Sequence, residues 1–240
     1  MTPRTRRRFL SWLLLSAGLS LASFAIWQWA TWPDVAALAR ENPSTTAFVE
    51  RWRARERAAG RRGEGGPRFV PYPRISAELK LAVVVAEDID FFSHRGFASV
   101  EMKRALEKAW EEKEAPRGAS TITQQLAKNL WLSPSRNPWR KLKEAALTRQ
   151  LERHLSKRRI LELYLNVVEF GPGVWGCENA ARRYFGSSSA DLGEREAAQL
   201  AASLPRPSTW HPGASGRGYA RHVERIRSRM RGSSWVRREL

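Results

Sequence analysis

The sequence has a single cysteine, Cys177, which excludes an intramolecular disulfide framework and any multi-cysteine zinc site; a packed thiol is the simplest expectation. Acid is scarce too. Lys plus Arg number 42 against 24 Asp plus Glu, a formal net charge of +18 with a pI of about 11.2. Nucleic acid, anionic lipid and phosphorylated substrates are therefore all partners to consider. No Ser-x-x-Lys occurs anywhere, so acyl-enzyme chemistry built on that motif is missing. The glycine-led stretch from Gly118 lacks the second glycine and Lys-Ser or Lys-Thr of a P-loop, and no internal repeat is evident. What is present argues against disorder. Hydrophobic residues make up 42% and include 11 Trp, and 240 residues suit one ordinary domain with room for a small second lobe.

Arg4, Arg6, Arg7 and Arg8 precede a run from Phe9 to Pro33 without a charged side chain. That is long enough for the about 20 apolar residues of a membrane helix. Trp27, Trp29 and Trp32 stand where an aromatic belt would sit, and the arginines predict a cytoplasmic N-terminus with the rest exported. Two other readings stay open: a secretory signal cleaved at Ala37-Leu38-Ala39, and a twin-arginine signal at Thr5-Arg6-Arg7-Arg8-Phe9-Leu10. Each exports the main body, which weighs against an intracellular nucleic-acid partner.

The organisation expected is a basic N-terminus (1–8), an anchor (9–32), a basic helix and linker (33–70), a catalytic domain (71–212) and an arginine-rich tail (213–240). Gly60, Gly63, Gly65, Gly66 and Pro67 break the linker. Beyond it the pattern is mostly helical. Ser76 caps a first helix, although Val83-Val84-Val85 would allow a strand by propensity. Asn137-Pro138 opens another, Ser156 a third, and Gly193 with Glu196 an Ala-rich one ending near Leu204. Lys157, Arg158 and Arg159 in a first turn oppose the helix dipole, so either a solvated face or another demand placed them there.

Three segments carry chemistry. In the first, Glu87-Asp88 lies between an apolar helix and the aromatic-rich Phe91-Phe92-Ser93-His94. A carboxylate partly desolvated there becomes a better base; an ordinary acidic helix end is the bland alternative. His94 has no companion at metal-ligand spacing, so a hydrogen-bonded structural histidine is expected. The second, residues 117–129, combines small residues, hydroxyls, Gln124, Gln125, Lys128 and Asn129: many donors and little bulk, suited to sugar hydroxyls and phosphate oxygens or simply to a capped polar helix start. In the third, Arg136, Arg140 and Lys141 accompany Glu144; Arg140 and Glu144 share a helix face at i, i+4, as a surface ion pair or as a cationic wall that also holds a carboxylate.

In order, these segments resemble the motifs of the family 51 glycosyltransferases, the peptidoglycan glycosyltransferases. Glu87-Asp88…Phe91…His94…Gly96 is similar to the first motif, and Gly118-Ala119-Ser120-Thr121-Ile122-Thr123-Gln124-Gln125…Lys128-Asn129 to the second. Arg140-Lys141…Glu144…Leu151-Glu152 resembles the third, and Arg159-Ile160-Leu161-Glu162-Leu163-Tyr164-Leu165-Asn166 the fourth. Gly173…Gly176…Ala180-Ala181…Tyr184-Phe185-Gly186 resembles the fifth. The stretch 166–176 and the preceding anchor are similar to the monofunctional biosynthetic branch. Ala119 replaces a glycine common among relatives, and Thr148 an alanine; Thr148, one turn after Glu144, can bond it or the backbone.

The resemblance implies a mostly α fold: a lysozyme-like helical head with a smaller membrane-proximal lobe after one transmembrane helix. It implies polymerisation of lipid II by inverting transfer, with undecaprenyl pyrophosphate leaving, on the extracytoplasmic side of a bacterial inner membrane. Glu87 would be the general base and Glu144 would assist on the donor side. Lys128, Arg136, Arg140 and Lys141 would hold the pyrophosphate; Ser120, Gln124, Gln125 and Asn129 would orient sugars and phosphates; Asp88 and His94 would support the site. It requires no cofactor or protein-held metal, while allowing Mg or Mn at the pyrophosphate. Lipid II, the growing lipid-linked glycan, the membrane and division or elongation proteins are the partners expected, not nucleic acid. The clusters 51–62 and 217–231 are left for anionic headgroups.

Overall fold

The computed structural model describes residues 3–98, 120–135 and 137–240. The chain divides into a unit ending at Asp34 and a body from Val35 to Leu240. The first unit is one long helix, α1 (Pro3–Ala30), whose stretch Trp12–Ala30 is long and apolar enough to cross a membrane.

In the body, α2 (Ala47–Ala58), α3 (Ala77–Glu87), α4 (Ile122–Trp131), α5 (Pro138–His154) and α6 (Lys157–Val167) precede a short hairpin. Its strands, β1 (Glu169–Gly171) and β2 (Val174–Trp175), are antiparallel with an irregular register. The chain continues through α7 (Cys177–Phe185), α8 (Glu194–Ser203) and α9 (Arg217–Gly232). The expected caps form: Ser76 Oγ accepts from Glu78 N, Asn137 Oδ1 from Arg140 N, and Ser156 Oγ from Arg159 N. Glu196 reaches back to the Gly193 amide at 3.0 Å.

The valine run is helix, not strand. Leu79, Leu81, Ala82, Val83, Val84 and Val85 are all buried, as is Lys80, whose Nζ donates to Tyr72 O, so α3 is enclosed on nearly every side and runs through the core. It packs on α8, where Ala197, Ala198, Ala201 and Ala202 present no bulk, and on α9. Each fully buried valine stabilises by about 1.5–3 kcal/mol, more than its small helical propensity cost. Cys177 is packed as expected, and burial pushes its thiol up to about 12.

Two segments delimited by composition also pack into the body. Residues 213–240 are no appended tail: Tyr219, Val223, Ile226 and Met230 bury one stripe of α9, Val236 is buried beyond it, and Arg237 pairs with Glu78. Nor is 33–70 merely a linker, since Val35, Leu38 and Val49 are buried and Arg51 Nη2 donates to Leu132 O at 2.7 Å. In both segments sparse apolar residues at helical spacing do the packing while the arginines dominate the composition. Much of that arginine charge is also met inside the body. Arg53 pairs with Glu50, Arg61 with Glu56, and Arg227 with Glu194 and Glu224.

Candidate active site

The last residue of α3 is Glu87 and its C-cap is Asp88, so two adjacent carboxylates leave the core helix together. Their surroundings differ. Asp88 is buried: Oδ2 accepts from Ile122 N at 2.9 Å at the start of α4, and Oδ1 meets His94 Nε2 at 2.8 Å. His94 Nδ1 accepts from Gly96 N at 3.1 Å, which places the neutral ring's proton on Nε2, facing Asp88. Asp88 and His94 therefore join the end of α3 to the start of α4, favourably to the α4 dipole.

Glu87 Oε2 accepts from Gln125 Nε2 at 2.6 Å, and Gln125 Oε1 accepts from Tyr164 Oη–H at 2.9 Å. The carboxylate fixes the amide orientation, since the flipped group would aim oxygen at oxygen. Tyr164, fully buried on α6, thus orients Gln125, and Gln125 orients Glu87. Desolvation raises the Glu87 pKa, with the Asp88 charge adding; the Gln125 bond and Lys128 charge oppose it. Tyr164→Phe should leave the fold intact but loosen Gln125, lowering turnover about three- to tenfold by loss of one hydrogen bond near 1 kcal/mol. Steady-state kinetics on the purified variant checks this; wild-type turnover would mean that Gln125 is oriented without Tyr164.

One turn along α4, Lys128 shares the face of Gln125. Burial lowers its pKa, while the charges of Glu144 and Glu87 hold it up, Glu144 more strongly. Glu144 is only 3% exposed on α5. Arg140 Nη1 binds its Oε2 at 2.8 Å, and Lys141 Nζ binds its Oε1. The ion pair therefore joins a buried carboxylate to a part-buried guanidinium, with an exposed lysine beside it, and is not a fully solvated surface contact. Among the described residues Arg140 Nε is buried without a hydrogen-bond partner, a donor left over where an anion could accept. Lys128, Arg140 and Lys141 thus outnumber Glu87 and Glu144.

A cavity of about 780 Å³ lined by Phe92, His94, Arg149, Glu152, Arg153 and Lys157, among others, takes in none of Glu87, Lys128 or Glu144. Among the described residues no three His, Cys, Asp or Glu side chains gather as a metal cluster.

The transglycosylase family model matches residues 56–231. The chain belongs to this family. A biosynthetic peptidoglycan transglycosylase of Aromatoleum aromaticum is 52% identical over 190 residues, covering 79% of this chain and 82% of that protein. One of Azoarcus sp. strain BH72 is 45% identical over 230 residues, 95% of this chain and 96% of its own. Another, from Methylobacillus flagellatus, is 42% identical over 213 residues, 89% and 93% of the two chains. The transglycosylase match begins inside α2 and ends within α9, consistent with both segments packing into the body.

The fold is the mostly helical, lysozyme-like one expected of a transglycosylase. Among the site residues read from its sequence, Glu87, Gln125, Lys128, Arg140, Lys141 and Glu144 form one connected set of hydrogen bonds and charges. Ser120 is exposed beside it, its carbonyl 3.5 Å from Gln125 Nε2. Asn129 is buried and donates to Gln125 O at 2.9 Å. Gln124 stands apart: its Oε1 accepts from Thr121 N at 3.0 Å, closing the α4 capping box. Arg136, like Arg117, Gly118 and Ala119, lies outside the described residues. Thr148 bonds the backbone, its Oγ1 donating to Glu144 O at 2.7 Å.

Sequence reasoning missed the orienting role of Tyr164. Glu152 stands in the third motif, but sequence reasoning gave it no role: it accepts from Thr123 Oγ1 and pairs with Lys157 Nζ at 2.8 Å, tying α4, α5 and α6 together. A polar-tipped aromatic amid Leu163 and Leu165 was the available signal for Tyr164.

Proposed function

We propose that the transglycosylase polymerises lipid II into glycan strands, with undecaprenyl pyrophosphate as leaving group. One observation carries the reading: a carboxylate with a raised pKa, Glu87, stands next to a lysine, Lys128, that also feels the Arg140–Lys141–Glu144 cluster. Glu87 accepts the proton of the acceptor's 4-hydroxyl as its oxygen bonds to the anomeric carbon of the growing chain. The bond from that carbon to the pyrophosphate breaks, its electron pair leaving with the phosphate oxygen, and α configuration becomes β. Charge growing on the pyrophosphate is met by Lys128, Arg140 and Lys141, and the spare Arg140 Nε–H supports an anion there. Glu144 holds Arg140 and Lys141 in place on the donor side. Arg136 would add a further cation. Mg²⁺ or Mn²⁺ at the pyrophosphate would add positive charge and is not needed as a ligand-held cofactor.

α1 would anchor the chain in the inner membrane, the body on the extracytoplasmic side, with lipid II and lipid-linked glycan arriving through the membrane; division or elongation proteins would be further partners. Without Ser-x-x-Lys the chain would not cross-link peptides. A hydrolase on a lysozyme-like fold is the second reading, but cleaving a neutral glycosidic bond gives the cations nothing to stabilise. Incubation with lipid II in detergent tests both. Lengthening glycan chains support the transferase; only shortened fragments from preformed glycan would overturn it.

A further inference from the structure

The cations in the first turn of α6 have an address. Arg159 Nε donates to Leu38 O at 2.8 Å, and Nη2 donates to Glu41 O at 2.8 Å and Asn42 Oδ1 at 2.9 Å, while Nη1 pairs with Glu162. One guanidinium thereby holds two main-chain carbonyls and an amide of a segment more than a hundred residues away in sequence. Apolar burial holds that segment as well. Its 3₁₀ turn, Ala36–Ala39, packs on α5 through buried Leu38, with Val35 buried just before it. Thr46 then caps α2, which packs on α4. The strap so formed touches α5 and leads on to α4, the helices that carry Glu144 and Lys128.

The strap also begins where the membrane-spanning helix ends. α1 stops at Ala30 and the body starts at Val35, so residues 31–34 are all that separates them. Five Cα steps reach at most about 18 Å. Freed as far as Thr46, the same connection would reach at most about 58 Å over sixteen steps.

We propose that Arg159 is a positioning residue that clamps residues 38–42 to α6 and so keeps the free stretch of chain between α1 and the body short, limiting the volume the body can explore around a membrane-borne substrate. The clamp acts through the local concentration of substrate and leaves the chemistry alone. It also withholds Ala37-Leu38-Ala39 from the extended, exposed form a processing protease needs, since Leu38 is buried. The inference rests on the lipid II reading above for its substrate, though the clamp itself does not.

The test compares full-length wild type, Arg159→Ala, Arg159→Lys and a chain with twelve Gly/Ser residues inserted after Trp32. Each is assayed on lipid II in vesicles and in detergent micelles, with amide exchange at Leu38, Arg40 and Glu41, whose N–H groups close the 3₁₀ turn. Arg159→Ala should speed that exchange about tenfold or more, Arg159→Lys less, and the insertion not at all. In vesicles KM should rise about three- to tenfold for both Arg159→Ala and the insertion at unchanged kcat; in micelles all four should agree. Wild-type exchange in Arg159→Ala would overturn the clamp. Unchanged vesicle KM in the insertion chain would overturn its purpose, and that arm stands even if Arg159→Ala fails to fold. Equal losses in vesicles and micelles would reduce Arg159 to a fold stabiliser. If wild type makes no glycan in either setting, the lipid II reading fails and the exchange result still decides the clamp.

Discussion

Replacing Glu87 by Gln should abolish polymerisation almost completely while the protein stays folded. The amide keeps the shape and can still accept from Gln125, so on the proposed mechanism the loss is that of the base, about 10²–10⁴-fold in kcat. Stability should hold or rise, because burial disfavours the charge that the substitution removes. Thermal unfolding and single-turnover kinetics together check this. Turnover within tenfold of wild type, on a folded protein, would take the base role from Glu87.

The raised pKa gives a second handle on the same residue. A base works only when deprotonated, so activity should fall as pH drops through the Glu87 pKa, above the ordinary carboxylate range. Burial lowers the Lys128 pKa, bringing its loss of charge closer to neutrality from the alkaline side. The kcat/KM profile of wild type should therefore be a bell narrowed from both sides.

Lys128→Met should be the other large loss, about 10²–10³-fold in kcat/KM, the usual cost of removing one preorganised group facing developing charge. Methionine keeps the buried stem and removes the charge that both carboxylates support. Lys128→Arg separates charge from geometry. Arginine does not titrate in this range, so any activity it retains should lose the alkaline limb of the bell. Persistence of that limb would assign it to another group, and wild-type kinetics in Lys128→Met would overturn the proposed role of Lys128 toward a pyrophosphate.

Legibility in the sequence followed the range of the interaction. The Arg140–Glu144 pair, the caps at Ser76, Asn137 and Ser156, and the Glu87-Asp88 helix end are local, set by spacings of a few residues. The difference between Glu87 and Asp88 was not local. Adjacent and chemically alike, they are told apart by partners from elsewhere in the chain: Gln125 for one, the Ile122 amide and His94 for the other. Gln124 and Gln125 divide in the same way, one closing its own helix and the other reaching Glu87. The hairpin at 169–175 escaped notice because strands this short carry no alternation to read.

By itself the sequence determined that the chain carries a stretch long and apolar enough to cross a membrane, a helical body and the ordered motifs of a transglycosylase, because hydrophobic runs, caps and i, i+4 pairs are properties of neighbouring residues. The excess of base, +18 overall, leaves polyanions of several kinds open as partners, and composition says nothing of which arginines the fold itself engages. Tertiary structure decided that for several of them. Arg51, Arg159 and Arg237 bind carbonyls or carboxylates as many as 159 residues distant, and α9 buries a stripe beneath its arginines. The physical reason is that a guanidinium's partner depends on which backbone the fold brings within 3 Å, and no count of charges along the chain contains that distance.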